Sequence, residues 1–201
     1  MTEPTSPIFK RRMIRRYVAQ LVPRALLEQL LEAACRAPSP HNRQPWRFVV
    51  LVGQPTRARL AHAMADQLRR DLARDGLPAE RIEQDAQRSI HRITSAGAAI
   101  LVCMTLRDMD VYPDEQRNAA ERWMAGQAVA AAIQNLLLRA TELGLGACWM
   151  CAPLFCPDVV RAVLSLPEDW LPQALITLGY PADDGRDRPR LPLSEVSLWM
   201  D

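Results

Sequence analysis

The sequence predicts an α+β fold, in which a mixed β-sheet is flanked by helices. Short apolar segments rich in β-branched residues recur along the chain, and longer segments with a helical period separate them. The length of 201 residues suits one domain, and the sequence contains no internal repeat and no linker. We therefore expect a single domain over residues 1–201, with an N-terminal extension over 1–8 and an extended C-terminal tail over 182–201.

The first helices differ in the pattern of their apolar residues. In residues 23–36, leucine and alanine recur on one side at helical spacing, and Pro23 fits a first helical turn. Residues 55–75 and 78–93 are rich in charged and amide side chains, which predicts two exposed helices that form a lid or rim of a site. A further short helix is expected to begin at Pro157.

A long helix is expected from Pro113 to about Leu143. It is nearly continuously apolar over residues 128–138, and a helix that is apolar on all sides is buried on all sides. The sequence therefore predicts that this helix lies at the centre of the fold, covered by the sheet and, in a dimer, by a second subunit.

Four segments predict strands, because each is short, apolar and rich in residues that favour extended backbone. Trp46 opens the first of them and is expected to lie in the core. Gly144 and Gly146 mark the end of the long helix before the third strand. The strands are expected over residues 46–53, 96–105, within 143–150, and 173–181.

Composition and charge exclude several classes of protein. The net charge of +2 at pH 7 gives no support for binding to nucleic acid or to a membrane surface. The longest nearly apolar run, AVAAAIQNLLL, is too short to span a bilayer. No secretion signal accompanies the odd number of cysteines, so we expect reduced thiols and a cytoplasmic location.

The motifs of several common reactions do not occur. The sequence has no H-E-x-x-H or paired C-x-x-C metal motif, no P-loop and no G-x-S-x-G nucleophile elbow. We therefore expect no metal site, and an enzyme with this sequence would depend on a cofactor for the difficult chemical step.

Cys148 and Cys151 form a single C-x-x-C motif, which keeps a thiol oxidoreductase among the possible functions. A redox pair normally lies at a helix N-terminus, whereas this motif falls in an apolar strand, where alternation sends the two side chains to opposite faces. The simpler interpretation is that all five cysteines are small buried hydrophobic residues.

Two clusters of arginine lie near opposite ends of the predicted domain. Such clusters are commonly solvated, but guanidinium groups from two segments can also neutralise one phosphate if the fold brings them together. The members are Arg11, Arg12, Arg15 and Arg16 in KRRMIRRY, and Arg186, Arg188 and Arg190 in GRDRPRLP.

The segment APSPHNRQPWRF, residues 37–48, separates the first helix from the first strand. Its prolines exclude a helix interior and stiffen the backbone. Ser39 and Asn42 add polar groups to this stiff segment. It is either only a turn or a rigid polar surface that holds a ligand.

Four segments together resemble the FMN-dependent nitroreductase superfamily. They are RRMIRRY, APSPHNRQPWRFVVL, LGLGACWM and LITLGYP with the following RPRLPLSEV, in the order and spacing of that superfamily over residues 9–196. Through APSPH and LPEDWLPQALITLGYP, the chain is similar to the flavin domain of deazaflavin-cofactor glutamyl ligases. The resemblance implies a nitroreductase-like fold and a homodimer with FMN at the subunit interface.

The resemblance also implies which residues contact the flavin. Arg11 and Arg12 would face the phosphate, together with Arg188 and Arg190. Arg15 would lie near the N1/O2 edge of the flavin ring. Met13 stands where the superfamily usually has a serine that bonds the phosphate, and a thioether cannot replace that bond.

The remaining flavin contacts implied by the resemblance come from two other segments. One would reach the flavin from the partner subunit, and the other would offer backbone N–H groups on the N5 side of the ring. The residues are Pro38, Ser39, Pro40 and Asn42 for the first segment, and the backbone near Met150, Cys151, Ala152 and Pro153 for the second.

The function implied by the resemblance is that of an FMN oxidoreductase. Hydride would pass from NADH or NADPH through flavin N5 to a small oxidised acceptor, such as a nitroaromatic or a quinone, by a ping-pong mechanism. The C-terminal tail would lie on the partner subunit, with Leu198 and Trp199 as anchors. A non-catalytic flavin-binding dimer and a thiol oxidoreductase using Cys148 and Cys151 remain the alternatives.

Overall fold

A four-stranded sheet forms the middle layer of the fold, and helices cover both of its faces. The structure is a computed structural model and describes residues 6–200. The elements in chain order are α1 (Pro7–Lys10), α2 (Arg24–Ala34), β1 (Trp46–Leu51), α3 (Gln54–Arg74), α4 (Ala79–Thr94), β2 (Ala98–Met104), α5 (Glu115–Glu142), β3 (Gly146–Met150), α6 (Pro157–Leu164), β4 (Leu171–Gly179) and α7 (Leu193–Val196). Two short 3₁₀ turns cover Pro40–Asn42 and Ala152–Phe155.

The strand order is β1-β2-β4-β3, and every pair of neighbours is antiparallel. In chain order, α3 and α4 connect β1 to β2, and α6 connects β3 to β4. The predicted α+β class is confirmed. The sheet was expected to be mixed, and within residues 6–200 the parallel pairing is limited to one isolated bridge between Met13 and Ala147.

Alternate residues of each central strand face two different helical layers. In β2, Ile100 and Val102 pack with α2 and α5, whereas Leu101 and Cys103 pack with α3, α4 and α6. Because helices cover both faces of β2, this strand is completely buried. A strand covered on both faces can be apolar at every position. Trp46 is buried, as predicted.

The prediction that α3 and α4 are exposed helices is wrong, because only their outer faces are exposed, whereas the lid or rim that they were expected to form stays a prediction. Each buries an apolar stripe on the sheet, as Leu60 and Met64 of α3 and Ile90 and Ile93 of α4 illustrate. The charged residues occupy the outer faces, where the Arg69 guanidinium donates to both oxygens of Glu83 across the two helices, at 2.9 Å each. These helices are therefore part of the core layer.

The long helix α5 is not buried on all sides within one chain. Its inner side packs on α2 and the sheet, with Ile133 and Leu137 buried. Its outer side carries Gln134, which is exposed, Gln127, which is half-buried, and Trp123, which is 74% exposed.

One arginine of α3 carries a charge inside the core layer. Arg57 is only 2% exposed and donates to the carbonyl oxygens of Leu51, Val52 and Ala96, the last two at 2.6 and 2.9 Å. Burial lowers the pKa of Arg57. These bonds tie the end of β1 to the turn that precedes β2.

The C-terminal tail follows β4 and lies on the surface. Residues 182–200 are exposed apart from Gly185, and Trp199 is 88% exposed. The tail was predicted to be extended throughout, but Leu193–Val196 form a single helical turn after Pro192.

Candidate functional site

The two predicted arginine clusters lie side by side at the β3 edge of the sheet. The N-terminal segment adds to this edge through the bridge between Met13 and Ala147, where the Ile14 N–H donates to the Ala147 carbonyl at 3.0 Å. Further along, the Ala182 N–H donates to the Arg16 carbonyl at 3.0 Å. The start of the folded chain and the segment after its last strand are therefore hydrogen-bonded to each other.

Two glycines allow the N-terminal segment to approach the sheet. A Cβ atom at Gly146 would lie 2.6 Å from Ile14 Cγ2, and one at Gly179 would lie 2.8 Å from Tyr17 Cδ1. Both distances are shorter than any packed side chain tolerates. The strand ends therefore need glycine at these positions for the arginine-bearing segment to lie where it does.

Tyr17 fixes the same segment by hydrogen bonds. Its hydroxyl donates to the Ile14 carbonyl at 2.7 Å and lies 2.8 Å from Thr177 Oγ1 in β4. Burial raises the pKa of Tyr17 well above its ordinary value, so the hydroxyl remains a neutral donor. Sequence analysis did not identify Tyr17, although it directly follows the first arginine cluster.

A cavity of about 1150 Å³ opens between these segments and α4. All five arginines predicted to contact the phosphate or the ring edge line it, and nine of its thirteen lining residues are arginine. The lining residues are Arg11, Arg12, Met13, Arg15, Arg16, Arg88, His91, Arg92, Asp183, Gly185, Arg186, Arg188 and Arg190.

Three of the lining residues come from α4 and were not predicted. Arg88, His91 and Arg92 are spaced i, i+3 and i+4, so they share one face of the helix. The spacing is visible in the sequence, although none of the three residues was singled out there as a site residue. This face borders the arginine cavity because of the way α4 is oriented on the sheet.

The arginine cavity has a positive charge that the described residues do not neutralise. Arg11 Nη1 is buried and has no hydrogen-bond partner within residues 6–200. Burial lowers the pKa of Arg11, and the positive charges of Arg190 and Arg12 lower it further. An anion with several acceptor oxygens would satisfy this donor and relieve the repulsion, so the residues present fit the phosphate of FMN.

Met13 lines the cavity at the position where a serine was expected from the resemblance. Its sulfur accepts the backbone N–H of Trp149 at 3.5 Å. The side chain therefore packs against β3, and the donors to an anion in this cavity are guanidinium groups.

The proline-rich segment forms a strained turn outside the arginine cavity. His41, Asn42 and Gln44 have φ angles of 48°, 55° and 50°. Non-glycine residues adopt this left-handed region at a cost of ~1 kcal/mol or more each, and such residues cluster at functional sites. Ser39 Oγ accepts the Gln44 N–H at 3.0 Å, which holds the turn together.

Pro38, Ser39, Pro40 and Asn42 do not line the arginine cavity of their own chain. Pro38 and Asn42 are exposed, and Ser39 and Pro40 are half-buried. Their predicted contact with a flavin bound to the partner subunit stays a prediction.

The predicted N5-side segment lies at the end of β3. Met150 is the last residue of the strand and is half-buried, and Ala152 begins the following 3₁₀ turn. Cys151 lies beyond the strand end and is exposed, so the expectation that the C-x-x-C motif falls inside the strand is wrong. These residues also do not line the arginine cavity.

Three of the five thiols are poorly suited to redox chemistry. Burial raises the pKa of Cys148, although the positive charges of Arg15 and Arg92 oppose the rise. Burial also raises the pKa of Cys103 to about 12 and that of Cys156 to about 11. The thiolate is the reactive form, so these three are inert. Cys35 and Cys151 are exposed, which corrects the expectation that all five cysteines are buried.

The described part of the chain contains neither a cluster of metal ligands nor a membrane-spanning helix. Within residues 6–200, no group of three or more His, Cys, Asp and Glu side chains could hold a metal ion. None of the helices there has the length and apolar character needed to cross a membrane.

Comparison with known proteins identifies the family. The model of the nitroreductase family matches residues 8–180. The chain belongs to the nitroreductase family. It is 36% identical over 192 residues to a protein of Thermus thermophilus named NADH dehydrogenase, and the match covers 94% of this chain and 92% of that protein. The family and its named members are oxidoreductases, which identifies this family member as an oxidoreductase as well.

Further relatives and solved structures agree with this assignment. A candidate NADH dehydrogenase/NAD(P)H nitroreductase of Archaeoglobus fulgidus is 27% identical over 188 residues, covering 92% of this chain and 88% of the relative. The crystal structure of a candidate nitroreductase from Desulfovibrio desulfuricans, in complex with FMN, superposes with a TM-score of 0.74. It has 29% identity and covers 97% of this chain and 95% of that one.

A BluB-like flavoprotein from Clostridium difficile has the same fold, with a TM-score of 0.81, 23% identity and 97% of each chain covered. The nitroreductase-like fold predicted from the sequence is therefore confirmed. The closer likeness to the flavin domain of glutamyl ligases stays a prediction.

Replacing Gly146 with alanine tests whether the glycine contacts position the arginine cavity. The new Cβ would lie 2.6 Å from Ile14 Cγ2, so the N-terminal segment must shift away from β3. We expect a loss of about 1–3 kcal/mol in the free energy of unfolding, measured by urea denaturation, because the contact is overpacked.

Gly53→Ala is the matched control, since a Cβ there meets only Thr56 Oγ1 at 3.9 Å. It should change the free energy of unfolding by no more than about 0.5 kcal/mol. Equal stability of the two variants would show that the contact between Gly146 and Ile14 does not hold the segment.

Proposed function

We propose that this protein is an FMN-dependent oxidoreductase that transfers hydride from NADH or NADPH to a small oxidised acceptor by a ping-pong mechanism. The observation that carries the proposal is the arginine cavity, in which a buried guanidinium nitrogen of Arg11 lacks a partner. Membership of the nitroreductase family and the FMN in the Desulfovibrio desulfuricans structure support it. When bound, FMN supplies the two-electron carrier that no side chain of this protein can replace.

The phosphate end of the cofactor is assigned to four arginines from two segments. Arg11 and Arg12 come from the N-terminal segment, and Arg188 and Arg190 follow β4. Arg12 is already oriented by Asp187 at 3.0 Å, whereas Arg11 has an unused buried donor. Two segments that converge in this way hold a phosphate by charge and by the fork geometry of the guanidinium group.

Arg15 is assigned to the polar edge of the ring. Its side chain is exposed, lines the same cavity and donates to the Met13 carbonyl at 3.2 Å. A fixed positive charge at this edge stabilises the negative charge that accompanies two-electron reduction. Arg15 would therefore set the reduction potential without taking part in proton transfer.

The ring site would be completed by a second copy of the chain. Pro38, Ser39, Pro40 and Asn42 form a rigid exposed turn, and we assign them to the cofactor held by the partner. The backbone at Met150, Cys151 and Ala152 is assigned to the N5 side. The exposed Trp123 on α5 and the apolar tail support a homodimer, because a solvated monomer would leave both uncovered.

A non-catalytic flavin-binding dimer is the alternative, and one experiment separates it from an enzyme. We expect the purified protein to be yellow with an absorbance band at about 450 nm, and NADH or NADPH to bleach this band before an added quinone restores it. A yellow protein that neither donor bleaches would be a binding protein only. A protein that takes up no FMN would refute the proposed function.

Removing the unpartnered guanidinium should weaken the cofactor complex. For Arg11→Ala we expect the Kd of FMN, measured by quenching of flavin fluorescence, to rise about 10- to 100-fold, because a charge-assisted hydrogen bond is lost. Arg70→Ala is the control, since Arg70 is exposed on α3 and bonds only Gln67. An unchanged Kd in Arg11→Ala would remove this arginine from the phosphate site.

Arg15→Ala should lower the reduction potential of the bound cofactor by about 20–60 mV, because a nearby positive charge contributes ~1–3 kcal/mol to a two-electron reduction. Spectroscopic titration against a reference dye measures the potential. Arg24→Ala serves as the control, because Arg24 is exposed and pairs with Glu28 away from the cavity. Potentials that agree within error for both variants would contradict the role of Arg15.

Deletion of residues 192–201 should weaken the dimer, because Leu198 and Trp199 would lose their surface on the partner. Sedimentation velocity over a range of concentrations measures the dimer dissociation constant. The full-length variant Leu198→Ser with Trp199→Ser should show the same direction of change. A dimer that is equally stable after both changes would refute the wrapping of the tail.

A further inference from the structure

The positive charge of the arginine cavity is larger than one phosphate requires. Of its nine arginines, Arg12, Arg16 and Arg88 pair with a carboxylate within 4.0 Å in the part of the chain described. The other six are Arg11, Arg15, Arg92, Arg186, Arg188 and Arg190. The phosphate of FMN carries at most two negative charges, so guanidinium groups remain for a second anion.

Once Arg11, Arg15, Arg188 and Arg190 are assigned to FMN, the arginines of the cavity left without a carboxylate partner within residues 6–200 are Arg92 on α4 and Arg186 in the C-terminal segment. The residues assigned to FMN come from the N-terminal and C-terminal segments, whereas Arg88, His91 and Arg92 belong to α4 and form a third wall. Their spacing directs all three side chains to one face of the helix. The C-terminal end of a helix carries partial negative charge, which makes cations tolerable there when no ligand is bound.

The cavity is also larger than the phosphate end of one cofactor needs. Its volume of about 1150 Å³ lies above the usual range for a small-molecule pocket, roughly 300–1,000 Å³. The lining has no aromatic residue, and Met13 is its main apolar side chain. Nearly all of the lining side chains carry charged or polar head groups, so the chemistry of the wall favours an anion over a flat uncharged acceptor such as a quinone.

We propose that the α4 wall, Arg88, His91 and Arg92, binds a phosphate of the nicotinamide nucleotide that reduces the flavin. This inference rests on the proposed function, because that reaction brings a phosphate-bearing donor to the same site. The phosphate is either the pyrophosphate, which NADH and NADPH share, or the 2′-phosphate, which NADPH alone carries. Guanidinium groups at i and i+4 can bind either one through paired hydrogen bonds.

The helix itself offers a matched pair of variants. Arg81 and Arg88 both donate to Asp85, at 3.0 and 2.8 Å, but only Arg88 lines the cavity. Arg81→Gln and Arg88→Gln therefore remove the same charge and the same kind of ion pair from α4. Arg88→Gln combined with Arg92→Gln is the full test variant.

Titration calorimetry with NADP⁺ and NAD⁺, which do not reduce the flavin, measures donor binding without turnover. In the double variant we expect the Kd of NADP⁺ to rise about 10-fold or more, because two charge-assisted contacts are lost. Arg81→Gln should stay within about twofold of the wild type. Weaker NADP⁺ binding with unchanged NAD⁺ binding identifies the 2′-phosphate, and equal weakening of both identifies the pyrophosphate.

Two results would overturn the proposal. One is nucleotide binding that is the same in the double variant, Arg81→Gln and the wild type. The other is a rise in the Kd of FMN that accounts for the whole effect, which would assign the α4 wall to the flavin phosphate. The FMN titration on the same samples also tests the proposed function independently, because a wild type that binds nucleotide but no FMN would refute that function and leave the anion site.

Discussion

Repulsion between guanidinium groups is the constraint around which this structure is organised. Two like charges 4 Å apart repel by about 1–4 kcal/mol, depending on solvent screening. Arg57 shows how the fold holds one buried charge without a ligand, because its two terminal nitrogens donate to three carbonyl oxygens, although its Nε has no partner within residues 6–200. Arg11 has no such arrangement and faces Arg12 and Arg190. An anion at this position would relieve the repulsion, and an anion that binds only the folded state would stabilise that state by mass action.

The backbone holds these charges close to each other. The N-terminal segment is hydrogen-bonded to the end of β3 through Ile14, and Tyr17 anchors it to Thr177 in β4. Gly146 and Gly179 remove the side chains that would keep it away. Rigid strands thus determine where the guanidinium groups lie, so little order has to be gained when a ligand binds. This preorganisation explains why residues far apart in sequence can form one site.

The sequence predicted the sheet and the arginine clusters because each has a local signal. The strands are apolar runs bounded by glycine or proline, and their predicted limits agree with the structure to within a few residues. The apolar stripe of α3 was missed because alanine forms half of it. That of α4, which is mostly isoleucine at helical spacing, was missed because charged residues dominate the composition. Whether His91 lines the cavity depends on how α4 is oriented on the sheet. The left-handed backbone of Asn42 depends on the turn around it. The helical spacing of Arg88, His91 and Arg92 and the tendency of asparagine toward left-handed backbone are local signals, but neither shows where the residue lies in the fold.

The two ends of the proposed cofactor site differ in whether one chain or two chains must supply the residues. The arginine cavity is formed by one chain alone, since its lining comes from the two terminal segments and α4. The strained turn around Ser39 and Asn42, in contrast, lies outside that cavity and is held by hydrogen bonds of its own, such as the one from the Gln44 N–H to Ser39 Oγ. Charge recognition would therefore precede dimerisation, whereas contacts to the ring would depend on it. A monomer would retain affinity for phosphate but lack the rigid wall that positions the ring. Association of the two chains would therefore affect the rate of hydride transfer more than the affinity for the anion.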